Sequence, residues 1–156
     1  MSDDIIKYPA QLPHPLQQGY AFETTNPKLS TPMASGYVRE RRRTQSVPTR
    51  AKVTWNMDSQ QAAFFEAWFA RTLVDGTKWF EAMLQTPLGF LPYTCRILGM
   101  YEGAELVQVR RWEYSATLEL RERPLMPPGW EEFPDYWFNM NILDLAMNRD
   151  GHWPEA

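Results

Sequence analysis

Over residues 52–57 polar and apolar side chains alternate, so that Val53, Trp55 and Met57 share one face of a predicted strand. At Asp58 the period changes. Asp58 offers an N-cap oxygen and Gln61, three residues on, completes a capping box, which predicts a helix running to Val74 with Gly76 as a left-handed stop. Along that helix Ala62, Phe65, Trp68, Phe69, Thr72 and Leu73 recur at helical spacing, an apolar stripe wide enough to plug a sheet. Beyond Asp75-Gly76, residues 77–84 read as a strand and Thr86-Pro87-Leu88-Gly89 as a turn. Residues 91–100 read as a second strand with Tyr93, Cys95 and Ile97 on alternate positions. Glu102-Gly103 turns the chain again, and residues 104–109 form a weaker strand. Residues 112–120 then put Trp112, Tyr114, Ala116, Leu118 and Leu120 on a dry face and Glu113, Ser115, Thr117 and Glu119 on a wet one. Residues 37–45 are a further strand candidate, weakened by a run of arginines. The sum is an α+β, mainly β fold: an antiparallel β-sandwich or barrel with one packed α-helix, its core built on Trp55, Phe65, Phe69, Phe80, Trp112 and Leu118.

Proline divides the chain. Of 13 prolines, five precede Gly36 and five follow Arg123. Proline removes a backbone donor and pushes its predecessor towards extended geometry. Residues 1–36 are therefore expected to form an extended arm, residues 37–123 the helix-supported core, and residues 124–156 a second arm with a short helix over 138–148. Yet both arms carry large apolar groups, among them Tyr8, Leu12, Leu16, Tyr20 and Phe22 in the first and Trp130, Phe133, Tyr136, Trp137 and Phe138 in the second. Free disordered tails are poor in such residues, so the arms should order by docking, at least one of them on a neighbouring molecule.

With 156 residues the chain suits one domain plus arms. A formal net charge of −3 gives no general attraction to nucleic acid or anionic membrane. No apolar run approaches the roughly 20 residues that span a bilayer, and no basic region followed by an apolar stretch marks an export signal, so a cytosolic site of synthesis is expected. The single cysteine excludes an internal disulfide and a thiolate zinc site. Aromatic residues make up 14% of the chain, seven of them Trp, in a sequence whose mean hydropathy is −0.51. Large amphipathic rings in a hydrophilic chain suit subunit contacts.

The residues that carry chemistry are few. His14 and His152 both sit in the arms, without a rigid frame to hold a proton-transfer geometry, and Cys95 falls on a strand between Tyr93 and Ile97, the setting of an inert buried thiol. Carboxylates cluster only as Glu131, Glu132 and Asp135, on the second arm. No catalytic, cofactor or metal site is expected. The one sharp electrostatic feature is Arg39-Glu40-Arg41-Arg42-Arg43, joined by Arg50 and Lys52. It could bind acidic groups on another subunit, protect a solvated strand edge, or grip phosphates, in that order of preference. Residues 124–156 hold six acids against the single base Arg149, so an acidic complement exists in the chain itself.

Taken together, the strand bearing Trp55, the helix Ser59-Gln-Gln-Ala-Ala-Phe-Phe-Glu-Ala-Trp-Phe, the segment Gly76-Thr-Lys-Trp-Phe, the strand Tyr93-Thr-Cys-Arg-Ile and the closing Trp112-Glu-Tyr-Ser-Ala-Thr-Leu-Glu resemble the minor tail protein M family of long-tailed bacteriophages and related small tail-tip proteins. The likeness covers about residues 50–123. It implies a virion component of the distal tail, made in the host bacterial cytoplasm and without catalysis. Such a component assembles as a homo-oligomeric ring, sixfold by the resemblance, between tail tube and tip hub, with tube, hub and tape-measure proteins as partners. The two arms depart from the family pattern, whose members stop soon after the closing strand. A head-to-tail connector or tail-completion role uses the same design and stays open, as does a nucleic-acid role for the basic run. Subunit contact is expected at Tyr8, Tyr20 and Phe22, at Arg41, Arg42 and Arg43, and at Trp130, Trp137 and Phe138.

Overall fold

The computed structural model describes residues 5–140, and the chain divides into a unit Met1–Pro124 and a second unit Leu125–Ala156. In chain order the first unit holds β1 (Ile6–Lys7), β2 (Ala21–Thr24), β3 (Lys28–Pro32), β4 (Val38–Arg42), β5 (Thr49–Asp58), α1 (Ser59–Ala67), β6 (Phe80–Thr86), β7 (Gly89–Ile97), β8 (Glu102–Gln108) and β9 (Arg111–Leu120). Seven strands form one sheet in the order β1-β6-β7-β9-β5-β2, with β8 paired beside β9; β3 and β4 make a separate hairpin. The fold is α+β and mainly β, as the alternation predicted.

Its spine is the pairing of β5 with β9, ten residues long and in continuous antiparallel register from Thr49↔Leu120 to Asp58↔Arg111. Because side chains alternate across a strand, this register stacks Ala51, Val53, Trp55 and Met57 beside Leu118, Ala116, Tyr114 and Trp112 on one face. That face is the core. Trp55, Tyr114 and Leu118 are buried in it together with Phe80, Leu84, Cys95 and Ile97 from β6 and β7. Trp112, expected in the core, is only half-buried: it stands at the end of β9, where its indole N–H donates to Ser59 Oγ at 3.2 Å.

The helix starts where the capping chemistry predicted. Asp58 Oδ1 accepts from the Gln61 amide at 2.8 Å, and Gln61 Oε1 accepts from the Asp58 amide at 3.2 Å. After Ala67 the helix widens into a π-helical stretch, Trp68–Thr72, in which the Leu73 amide donates to the Trp68 carbonyl five residues back. The wider turn carries Leu73 into the core beside Phe65, Trp68 and Phe69 and leaves Thr72 exposed, so Thr72 drops out of the predicted stripe. The element ends at Thr72, short of the predicted Val74; Val74 and Asp75 already turn the chain at positive φ, and Gly76 continues the turn at φ +82, where a Cβ would stand 3.0 Å from the Phe69 ring. Only glycine provides both the turn and the space.

Residues 5–24 of the first arm dock on the chain's own sheet. Ile6–Lys7 pairs in parallel with Phe80 and Glu81, the one departure from an antiparallel sheet, and Ala21–Thr24 pairs with β5. Between them Leu12 is buried, Tyr8 packs edge-on against Trp68, and the Tyr8 hydroxyl donates to the Pro13 carbonyl at 2.7 Å. The Glu102-Gly103 turn is likewise corrected, because both residues lie inside β8. In the second unit a 3-10 turn, Trp130–Glu132, leads into helical residues 134–140, in which Trp130 stacks on Tyr136 and tilts against Trp137. Helical backbone thus begins before the predicted start at Phe138, and positions 141–148 of that expectation lie outside the described residues.

Candidate functional site

Among the nine predicted contact residues, three turn inward. Tyr8, Tyr20 and Phe22 are partly buried against the protein's own core, with Tyr20 and Phe22 in edge-to-face contact at 5.4 Å. They hold the first segment to the sheet and are corrected from subunit contacts to core supports. Trp130 and Trp137 are half-buried against each other in the second unit, while Phe138 is 76% exposed, with Phe133 and Tyr136 also open. With Leu125 and Met140 these last three are the large exposed apolar groups among the described residues of that unit.

The arginine run resolves into two sides of the β3–β4 hairpin. The register Lys28↔Arg42, Ser30↔Glu40 and Pro32↔Val38 defines one face; Leu29↔Arg41 and Thr31↔Arg39 define the other. On the first face Glu40, the hairpin's single acid, accepts from Lys28 Nζ at 3.1 Å and from Ser30 Oγ at 3.3 Å, and Lys28 holds its carboxyl below the usual range. Arg42, on that same face, donates to the carbonyls of Thr44 and Gln45. The second face carries Arg39 and Arg41, and Arg43 continues the alternation because its amide donates to the Pro27 carbonyl. Among the described residues no carboxylate pairs with these three guanidiniums. Arg39, which had been expected only as part of the run, thus belongs with Arg41 and Arg43, and Arg42 does not.

The hairpin has almost no core of its own. Apart from Leu29, every residue from Lys28 to Arg42 is exposed, Tyr37 to 77%. No family model, curated protein or solved structure matches the chain. The chemistry of its surfaces rests on its own residues.

Cys95 lies fully buried on β7, and burial pushes its thiol from an ordinary 9.0 up to about 12, far from the thiolate a nucleophile needs. His14 stands exposed, edge-on to Phe90 at 5.0 Å, and His152 lies outside the described residues. Glu131, Glu132 and Asp135 are exposed, Glu131 accepting from the Gly129 amide. An ion pair unforeseen from the sequence, Arg96 to Glu119 at 2.6 Å with Arg96 also over the Trp79 ring, ties β7 to β9. Only the registered strands put those residues opposite one another, so no local signal could have given it.

Burial also raises Tyr8, Tyr101 and Tyr114, the last further raised by donating to Glu66 Oε1 at 2.7 Å, and lifts Tyr20 from 10.0 to about 12. All these groups are neutral when protonated, so the fold holds their protons longer than the unfolded chain does. Stability is therefore complete below the ordinary values and falls as pH rises above them, by about 1.4 kcal/mol per pH unit for each fully buried group. Thermal melts should decline from about pH 9, where the Cys95 thiol ordinarily titrates. In Cys95→Ala the decline should start nearer pH 10, with the tyrosines; an unchanged onset would show that Cys95 is not the first group to resist ionisation.

Proposed function

We propose that this chain is a structural protein of a bacteriophage tail, a minor-tail or distal-tail component that works by closing into a ring between tube and tip hub and performs no catalysis. One observation carries the reading: a two-stranded hairpin, exposed along its length, with almost no core of its own. Isolated hairpins are marginally stable in water, so a protein that keeps one this long gains by setting it against another subunit. The exposed Phe133, Tyr136 and Phe138 of the second unit add apolar surface of the sort that a neighbour covers. The helix-backed β plan and the resemblance over residues 50–123 support the tail assignment, with the tube, hub and tape-measure proteins as further partners. Among the described residues no helix is long and apolar enough to cross a membrane.

Mass photometry and negative-stain imaging of the purified chain should reveal closed rings at micromolar concentration. Replacing residues 28–42 by a short Gly-Ser linker should leave the melting temperature nearly unchanged and abolish the rings. Antibody labelling of phage particles should mark the distal tail, and a label at the head–tail junction would move the protein to the connector role. A full-length chain that stays monomeric at high concentration and is missing from particles would end the proposal.

A further inference from the structure

Resting on that ring reading, we infer that the hairpin face bearing Arg39, Arg41 and Arg43 docks on the carboxylates of Glu102, Glu105 and Glu113 in the β8–β9 ribbon of a second copy of the chain. The receiving face has an unusual register. Glu105 lies directly opposite Glu113, and Glu102 opposite Ser115, with an irregularity in β8 between the two glutamates. Residues three apart in a regular strand face opposite ways; the extra residue turns Glu102 and Glu105 to the same side as Glu113. Like charges opposite one another destabilise a sheet. A fold that gathers three carboxylates in this way, with no cation in ion-pair contact among the described residues, favours a cationic partner.

The hairpin supplies the complement. Alternate residues on a strand are about 6.6 Å apart, so neighbouring arginines of this face are spaced like Glu102 and Glu105, which lie opposite β9 residues two positions apart, and Glu113 stands one cross-strand step of about 5 Å from Glu105. Guanidinium forks match carboxylates bidentately. Among the described residues β8 pairs only with β9, and every one of its residues is exposed, so the ribbon offers an edge to receive the hairpin. Donor and receiver are different patches of one chain, which makes the contact head-to-tail. Such contacts form a ring where the rotation between neighbours closes, and an open filament where it does not.

The test is a charge exchange. The triple variants Arg39→Glu/Arg41→Glu/Arg43→Glu and Glu102→Lys/Glu105→Lys/Glu113→Lys are each expected to melt near the wild-type temperature. Each should self-associate about a hundredfold more weakly, on about fivefold per exposed pair. Mixed in equal amounts they should recover assembly, because each then meets the opposite charge. Where the acid triple does not fold, Glu105→Lys alone serves: it pairs with Glu113 within the ribbon, keeps the fold and still weakens assembly. Wild-type rings that persist in both triples, or a mixture that stays dissociated, would overturn the docking and leave the ring intact as a reading. A wild-type monomer would overturn both. Salt-sensitive binding of a fluorescent oligonucleotide that is lost in the arginine triple, with self-association unchanged, would reassign the arginine face to nucleic acid. Assembly lost equally on removing residues 125–156, with the glutamate triple unaffected, would move the receiver to the second unit.

Discussion

Replacing Phe65 with alanine is expected to cost about 3–5 kcal/mol of folding stability, the range for deleting a fully buried ring that its surroundings cannot close over. Phe65 has no exposed surface and joins the two halves of the core. Its ring centroid lies 5.5 Å from Trp55, 5.5 Å from Tyr101 and 5.2 Å from Tyr114, so one side chain on α1 touches β5, β9 and the approach to β8. Removing it would also loosen the setting of the Tyr114 hydroxyl, which reaches from β9 to Glu66 beside Phe65. Aromatic pairs contribute beyond their buried area, which places the expected loss in the upper part of the range. Because whole domains are stable by only about 5–15 kcal/mol, the variant should unfold at markedly lower urea concentration. Phe64, one residue earlier, is half exposed, and Phe64→Ala should change stability by about 0.5 kcal/mol or less. A loss under about 1.5 kcal/mol at Phe65 would mean the helix does not seal the sheet in the manner described.

That helix was legible from sequence because its signals are local. Asp58 and Gln61 are three residues apart and cap one another, and Phe65, Trp68, Phe69 and Leu73 recur within two turns of chain. The alternation of β5 and β9 was legible for a similar reason, since one buried face imposes a period of two on each strand independently. The first segment was not. Its prolines argue locally for irregular backbone, yet Ala21–Thr24 contains none, and it becomes a strand by pairing with β5 residues about 30 positions later. Tyr8, Tyr20 and Phe22 were therefore read as waiting for another molecule, when the nearest apolar surface was their own sheet. The arginine run misled in the opposite sense. Five consecutive residues look like one cluster in sequence, but a strand sends alternate side chains to opposite faces, so Arg42 and Glu40 leave the side on which Arg39, Arg41 and Arg43 remain. The matching acids could not be found from spacing alone, because Glu102 and Glu105 come to one face only through an irregular strand pairing.

The residue inside that irregularity gives the second large effect. Gly103 sits at φ +126, and a Cβ built on it would stand 2.6 Å from the Glu113 carbonyl oxygen and 3.2 Å from the Tyr114 Cα. Both obstacles are backbone of β9, which is locked to β5 on its far side and has no rotamer by which to yield. Gly103→Ala therefore combines the strain of a positive φ with a steric overlap that only movement of β8 can relieve, and is expected to cost about 2–4 kcal/mol. The chain has two ways to respond. If β8 stays registered, the whole unit melts earlier; if β8 lifts away, amide hydrogen exchange rises across Glu102–Gln108 while β5 and β9 stay protected. The second outcome is favoured, since β8 buries no residue of its own in the core. A lifted β8 no longer presents Glu102 and Glu105 beside Glu113, so the same substitution should weaken self-association without altering a single charge. Retained protection of β8 together with an unchanged melting temperature would show that Gly103 is not pressed against β9. Assembly unaffected by a detached β8 would place the receiving surface elsewhere, because the three carboxylates act as one site only while the ribbon holds its register.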